Sequence, residues 1–346
     1  LLRNVIPQIA DALEPGGGGD PYKGLNEEEK EALKEITRFG FPLRGWLQWP
    51  YLDDGALPVL APGVKMADPE YFEIFWKEPG YLGADPDGHA RRDRIHIETR
   101  ITSVSLPTKE EKEEALKQRE GKSEGLNSVD DAWTKMIQDS YGKPWIEVEE
   151  VPEGEDLYLD GCNVIIESGD AAGSTMVLAG LEGNKVILGA GFGSGSVESI
   201  LEKVKPGDKV KLDNSDYIAI QSYHRHRVPE AEFTTWDQYR DENGQPIYPQ
   251  RSSDIEVSVK EGGCHCKQNG SFQGKMIVVA ALEDESAFPW QAAWYRDKVV
   301  AANPGKEDEL FRLWFMEHCN HGGVAKTPGE LHLVPYLGAL RQALLS

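Results

Sequence analysis

Two segments near the end of the chain hold the residues best suited to chemistry. The first is the continuous apolar run Met276-Ile277-Val278-Val279-Ala280-Ala281-Leu282, which ends in Glu283-Asp284-Glu285. The second is Phe311 to Met316, which ends in Glu317-His318-Cys319-Asn320-His321-Gly322-Gly323. A short apolar run without alternation predicts a buried parallel strand. An acid therefore follows one strand and a histidine follows the next. Functional groups in parallel sheets gather beyond the carboxyl ends of the strands. A carboxylate placed there holds an imidazole in one tautomer, and the imidazole then serves as a general base. The acid is one of Glu283, Asp284 and Glu285, the other two being solvated neighbours, and the base is His318 or His321, three residues apart.

A further pair, His224 and His226, sits in Ser222-Tyr223-His224-Arg225-His226-Arg227. Read as a strand, Tyr217 to Tyr223 and its continuation would point both imidazoles to one face, a geometry that suits a metal or a substrate contact. Cys264-His265-Cys266 offers softer ligands, and a disulfide or a plain loop explains it equally well. No metal and no cofactor is assigned from these residues.

The elements that must position these groups follow from pattern. Pro289 stands at the start of a helix predicted over Trp290 to Ala302. A last helix is predicted over about Gly329 to Leu344. Strand, helix, strand, helix is α/β grammar. Upstream, Asn26 and Glu29 form a capping-box pair ahead of the apolar stripe Leu33, Ile36 and Phe39, and Gly40 ends that helix. Aromatic clusters follow at Phe41, Trp46, Trp49 and Tyr51, and at Tyr71, Phe72, Phe75, Trp76 and Tyr81. They read as core packing or as the lining of an apolar substrate site. Arg94 to Leu106 alternates like a strand, Thr108 with Glu111 opens a charged helix to about Arg119, and another helix is expected around Val129 to Ile137. From Trp145 the period is two. Asn163 to Glu167, Thr175 to Leu178, Lys185 to Leu188, Asp208 to Leu212 and Tyr217 to Tyr223 are predicted strands, separated by turn residues and expected to form a small β-barrel. This gives four regions: a helical, aromatic-rich segment over 1–144, the β-module over 145–228, an irregular connection over 229–272 and an α/β segment over 273–346.

The C-terminal segment resembles the end of the α/β-hydrolase fold, and specifically tannase/feruloyl esterase-type enzymes. The matching residues are Gly274-Lys275-Met276-Ile277, Asp284, Pro289, Trp294-Tyr295, Phe311-Arg312-Leu313 and His321-Gly322-Gly323. The resemblance covers about fifty residues of the 346. It implies an α/β sheet preceded by a large insertion, a Ser-His-Asp hydrolase acting on a small-molecule ester, Asp284 as the triad acid and His321 as the triad base. Trp290, Tyr295, His318, His224 and His226 are then candidate substrate contacts. Two departures stand out. The family carries a Cys directly after the histidine, where this chain has Gly322, and its Cys319 lies two residues before it. No G-x-S-x-G nucleophile elbow occurs. The nearest run, Gly191-Phe192-Gly193-Ser194-Gly195-Ser196, has another register and reads as a turn or loop. The nucleophile is therefore expected from a segment before Leu1 or from a second chain. A non-catalytic binding or structural subunit and a metal-dependent enzyme built on His224 and His226 are the other readings.

Composition bounds these readings. The chain has 37 Lys and Arg against 59 Asp and Glu, for a net charge of -22. That acidity argues against a nucleic-acid partner, which needs clustered cations. No apolar run is long enough to span a bilayer. Hydrophobic residues at 39% suffice for cores. Cys162, Cys264, Cys266 and Cys319 are too few for a disulfide scaffold, and together with the family resemblance they lean towards a secreted or periplasmic protein.

Overall fold

The computed structural model describes residues 1–51, 56–117, 142–154, 156–189, 195–253, 268–317, 319, 321 and 336–345. The chain is mixed α and β, and it packs as two compact units. One is formed by the described residues of 1–56, 227–250 and 256–346, the other by those of 57–226 and 251–255. These units cut across the four regions read from the sequence, because residues 227–250 pack with the first unit and the strand at 96–105 belongs to the barrel of the second.

The second unit is built on a closed antiparallel barrel. Its strands are β1 (His96–Ser105), β2 (Trp145–Val148), β3 (Asn163–Ile166), β4 (Thr175–Glu182), β5 (Lys185–Gly189) and β6 (Lys209–Asp213), in the order β1-β2-β5-β4-β3-β6. Alternate residues point inward, as a half-buried strand requires. Ile146, Val164, Ile166, Met176, Val186, Val210 and Leu212 are wholly buried in the barrel core. Closure falls to β6, which sets Val164 opposite Leu212 on one side and Ile97 opposite Leu212 on the other.

Four of the five strands predicted for this module are present. The fifth is a correction: Ser215–Ile220 is a helix, and Tyr223–His226 is a 3₁₀ turn. The Asp213 carboxylate accepts the Ser215 N–H at 2.8 Å and turns the chain out of the barrel. Asn214 then fixes the bend, accepting the Ile95 N–H and donating to the carbonyls of Asp93 and Tyr158. Ser215 and Tyr217 to Ile220 are all buried and Asp216 alone keeps some exposure, so the helix shows no amphipathic period. A short apolar run of this kind cannot be told from a buried strand by pattern. The barrel takes β1 and β2 in its place. The capping box predicted at Thr108 is formed, with the Thr108 N–H donating to Glu111 and the Glu111 N–H to the Thr108 hydroxyl. The helix expected around Val129 to Ile137 lies outside the described residues.

A second core in this unit gathers the predicted aromatics Tyr71, Phe72, Phe75, Trp76 and Tyr81 with Ile218, Ala219 and Tyr223. Below it lies a buried ion pair. Asp68 is 2% exposed and takes two bonds from the Arg251 guanidinium, at 2.9 and 2.6 Å, and one from the Tyr223 hydroxyl at 3.0 Å. Burial opposes the charge on Asp68, but these donors outweigh it and hold the carboxyl below its usual range.

The first unit joins two layers. Its N-terminal helices, Ile6–Leu13 and Glu27–Phe39, pack around Ile9, Leu33, Phe41 and Trp46. The predicted capping box is formed, with the Glu29 N–H on Asn26 at 2.9 Å and the Asn26 N–H on Glu29 at 2.8 Å. Gly40 ends this helix at φ 119° and lies against the Trp290 indole, where a Cβ would collide. The side chains of Trp49 and Tyr51 lie outside the described residues.

The second layer holds the predicted parallel pair, β7 (Met276–Ala281) and β8 (Phe311–Met316), in register from Met276 opposite Phe311 to Ala281 opposite Met316. The crossover helix is Trp290–Ala302, as predicted from Pro289. The last helix is described over Tyr336–Leu345, where Leu340 and Ala343 pack against Val279, Ala281 and Met316. Its expected start at Gly329 lies outside the described residues. Among the described residues, no helix is long and apolar enough to cross a membrane.

Removing one partner of a buried pair leaves an uncompensated charge, a loss of about 3–5 kcal/mol. Arg251→Ala should lower the unfolding free energy of the barrel-bearing unit by at least ~2 kcal/mol, the fully buried figure being discounted for the partly exposed guanidinium. Because the folded pKa of Asp68 is depressed, its contribution is present above the ordinary carboxylate pKa and is lost as pH falls through the folded value. Asp68→Asn should therefore flatten the acid limb of stability against pH. Denaturant unfolding of both variants across the acid range checks this, and an unchanged acid limb would count against the assignment.

Candidate functional site

β7 delivers its acids into a tight turn. The Asp284 carboxylate accepts the backbone N–H of Ser286 at 2.9 Å and of Ala287 at 2.6 Å. These bonds are local to the turn, so the carboxylate is oriented by its own loop. β8 delivers His321 five residues beyond its last strand residue. The imidazole Nδ1 lies 3.0 and 3.2 Å from the two Asp284 oxygens. The carboxylate is nearly buried, while the imidazole is 46% exposed in its side chain. That arrangement leaves Nε2 as the atom able to exchange a proton with a bound molecule, with the tautomer set by Asp284.

Two stitches tie the acid turn to the histidine loop. The Glu283 N–H donates to the Cys319 carbonyl at 3.1 Å, and the His321 N–H donates to Glu285 Oε2 at 3.1 Å. The pair borders a concavity of about 320 Å³. Val279, Ala280, Ala281, Ala287, Phe288, Pro289 and Ala292 give it apolar walls, and Asp284, His321 and Gln291 supply its polar groups. Few convergent polar groups on an apolar lining is the usual make-up of a small-molecule site.

The structure thus brings Asp284 and His321 together, as their positions after two successive strands predict. The other candidates are placed differently. Trp290 stands edge-on to Trp236 and against Gly40, and Tyr295 stands edge-on to Phe311, so neither lines the concavity. Phe288 and Gln291, on the same loop and helix, do line it, and no sequence pattern distinguished them. His224 and His226 lie on a 3₁₀ turn, not on a strand face. His226 is 1% exposed and stacks on Tyr81 at 4.3 Å, which makes it part of an aromatic core. No group of three or more metal-ligating side chains occurs among the described residues. His318, Cys264-His265-Cys266, Gly191 to Ser194 and Gly322-Gly323 lie outside those residues.

A His–Asp distance by itself marks no site. His96 Nδ1 also lies 3.0 Å from an Asp213 oxygen, but these two are cross-strand partners on β1 and β6. The Asp213 carboxylate is shared there with Lys211 at 3.4 Å. The Asp284–His321 pair differs in joining the ends of two parallel strands beside a concavity.

Comparison with known proteins adds little. No family model and no curated protein matches the chain. A solved structure titled "Crystal structure of TM1086" aligns over 34% of this chain at 23% identity, with a TM-score of 0.19. The chain spans 44% of that protein's length. A likeness so slight carries no argument about fold or function.

Cys319 lies beside the pair and is wholly buried. Burial, and next the negative field of Asp284, Glu283 and Glu285, pushes its thiol up to about 11. At neutral pH it is a protonated thiol, and the thiolate is the reactive form. In the folded protein, iodoacetamide near neutral pH should leave Cys319 unmodified, with labelling only once the chain is unfolded. Peptide mass mapping checks this, and prompt labelling of folded protein would show an accessible thiolate instead.

Proposed function

We propose that this chain carries the acid and base of a serine-hydrolase-type carboxylic ester hydrolase. The observation that supports the reading best is the Asp284–His321 contact at the carboxyl ends of two parallel strands, beside an apolar concavity. On this reading β7, β8 and their helices are the last part of an α/β-hydrolase sheet of the tannase/feruloyl esterase type. The serine comes from an upstream segment or from a second chain. The serine Oγ attacks the ester carbonyl carbon while its proton passes to His321 Nε2. Asp284 keeps Nδ1 protonated and stabilises the imidazolium. Collapse of the tetrahedral adduct breaks the acyl–oxygen bond, and Nε2 returns the proton to the leaving alkoxide. Water then repeats the sequence on the acyl-enzyme, releasing the acid and restoring the serine. The apolar walls around Phe288 and Ala292 would receive the uncharged part of the ester.

The test uses the native protein with every chain that co-purifies. A fluorophosphonate probe should label a serine in that sample, and peptide mapping should place it outside residues 1–346. His321→Ala and Asp284→Asn should each lower turnover of a p-nitrophenyl ester by roughly 10³-fold or more while the protein stays folded. Full activity in both variants would sink the triad assignment. Ester binding without turnover in the complete native sample would instead favour a non-catalytic binding subunit.

A further inference from the structure

We propose that Glu285 is a positioning residue that fixes the backbone of His321, so that the base is anchored at two points; this rests on the hydrolase reading above. The three consecutive acids after β7 carry out three separate tasks. Glu283 uses its backbone, donating its N–H to the Cys319 carbonyl. Asp284 uses its carboxylate on the imidazole. Glu285, half-buried, uses its carboxylate on the backbone instead and receives the His321 N–H at 3.1 Å.

Geometry gives this second contact its value. A histidine side chain has two rotatable bonds. A contact at Nδ1 alone lets the loop pivot about that contact and sweep Nε2 through an arc. Holding the backbone nitrogen as well removes the pivot, and Nε2 is then set by two fixed points. The loop needs such an anchor, since His321 lies five residues beyond β8 and is tied back at Cys319 and at its own N–H. A misplacement of about 1 Å at a reacting atom costs roughly a hundredfold in rate, so an anchor of this kind acts through Asp284 and His321 without touching substrate.

The experiment reads His321 itself and needs no located nucleophile. The full chain is labelled with [¹⁵N]histidine, its eight histidines are sorted by a His321→Gln variant, and ring nitrogen shifts and the His321 amide exchange rate are recorded. Glu285→Ala should raise amide exchange at His321 about tenfold and shift its ring nitrogens towards a mixture of tautomers. Amides in β7 and β8 should keep their rates, which excludes general loosening. Glu285→Gln retains an acceptor oxygen and should stay within about twofold of the parent. Glu285→Asp keeps the charge but is one methylene short, so it should behave like Glu285→Ala, and it serves if that variant fails to fold. Parent-like exchange and ring shifts in both Glu285→Ala and Glu285→Asp would overturn the proposal. So would a Glu285→Gln variant as disturbed as Glu285→Ala, because charge rather than the hydrogen bond would then be responsible. Asp284→Asn separates the two readings. It should abolish the tautomer preference whatever Glu285 does, and if it changes nothing, the Asp284–His321 pairing fails and not the anchor.

Discussion

A carboxylate can orient an imidazole only if something else orients the carboxylate. In this chain that role falls to two backbone N–H groups, from Ser286 and Ala287, donated within the turn that follows β7. They direct Asp284 without bringing a full positive charge to it, so its field remains available to His321. The rest of the unit serves this turn. The parallel register of β7 and β8 brings the two strand ends level, and the crossover helix starts directly after the turn, at Trp290. Phe288 is held between Phe39 and Phe41, which ties the loop to the N-terminal helices of the same unit.

The contrast with His96 and Asp213 makes the point by comparison. The two pairs share a nitrogen–oxygen distance of 3.0 Å. Asp213 also faces Lys211 and caps the helix that leaves the barrel, so its charge is committed to structure. Its depressed pKa reflects those partners acting against burial. The same two residue types thus form a cross-strand contact in one place and a pair beside a concavity in the other. The surroundings of the carboxylate decide which, more than its separation from the ring.

What the sequence made legible follows a physical line. β7, the helix over Trp290–Ala302 and β8 could be read because each is a local pattern: apolar runs of strand length, a proline at a helix start, and a polar turn after each strand. Asn26 with Glu29 and Thr108 with Glu111 were legible for the same reason, since a capping box spans three residues. Those strand ends marked an acidic and a histidine-bearing turn, and the resemblance, not the pattern, singled out Asp284 and His321 within them. The pairing of β6 with β1 was not legible, because it joins residues more than a hundred positions apart and register carries no local mark. The helix over Ser215–Ile220 was hidden because the burial of four successive residues, Tyr217 to Ile220, erased its period. His226 was misplaced with it: once the strand became a 3₁₀ turn, the shared face of the His-x-His pair disappeared, and the ring packed on Tyr81.

Glu285 shows a deeper limit of the same kind. A side chain that bonds a distant backbone N–H leaves no trace in residue type, because every residue except proline offers that N–H. Read along the chain, Glu283, Asp284 and Glu285 are equivalent rivals for one role. In three dimensions they are not rivals, because Asp284 meets the ring while Glu285 meets the His321 backbone. The apolar residues still exposed on this sheet, Ile277 at 37% and Phe315 at 42%, bear on the same unit. A parallel pair is normally covered on both faces. Ala281, Met316 and Cys319 are buried together at the carboxyl ends of β7 and β8, next to Asp284 and His321.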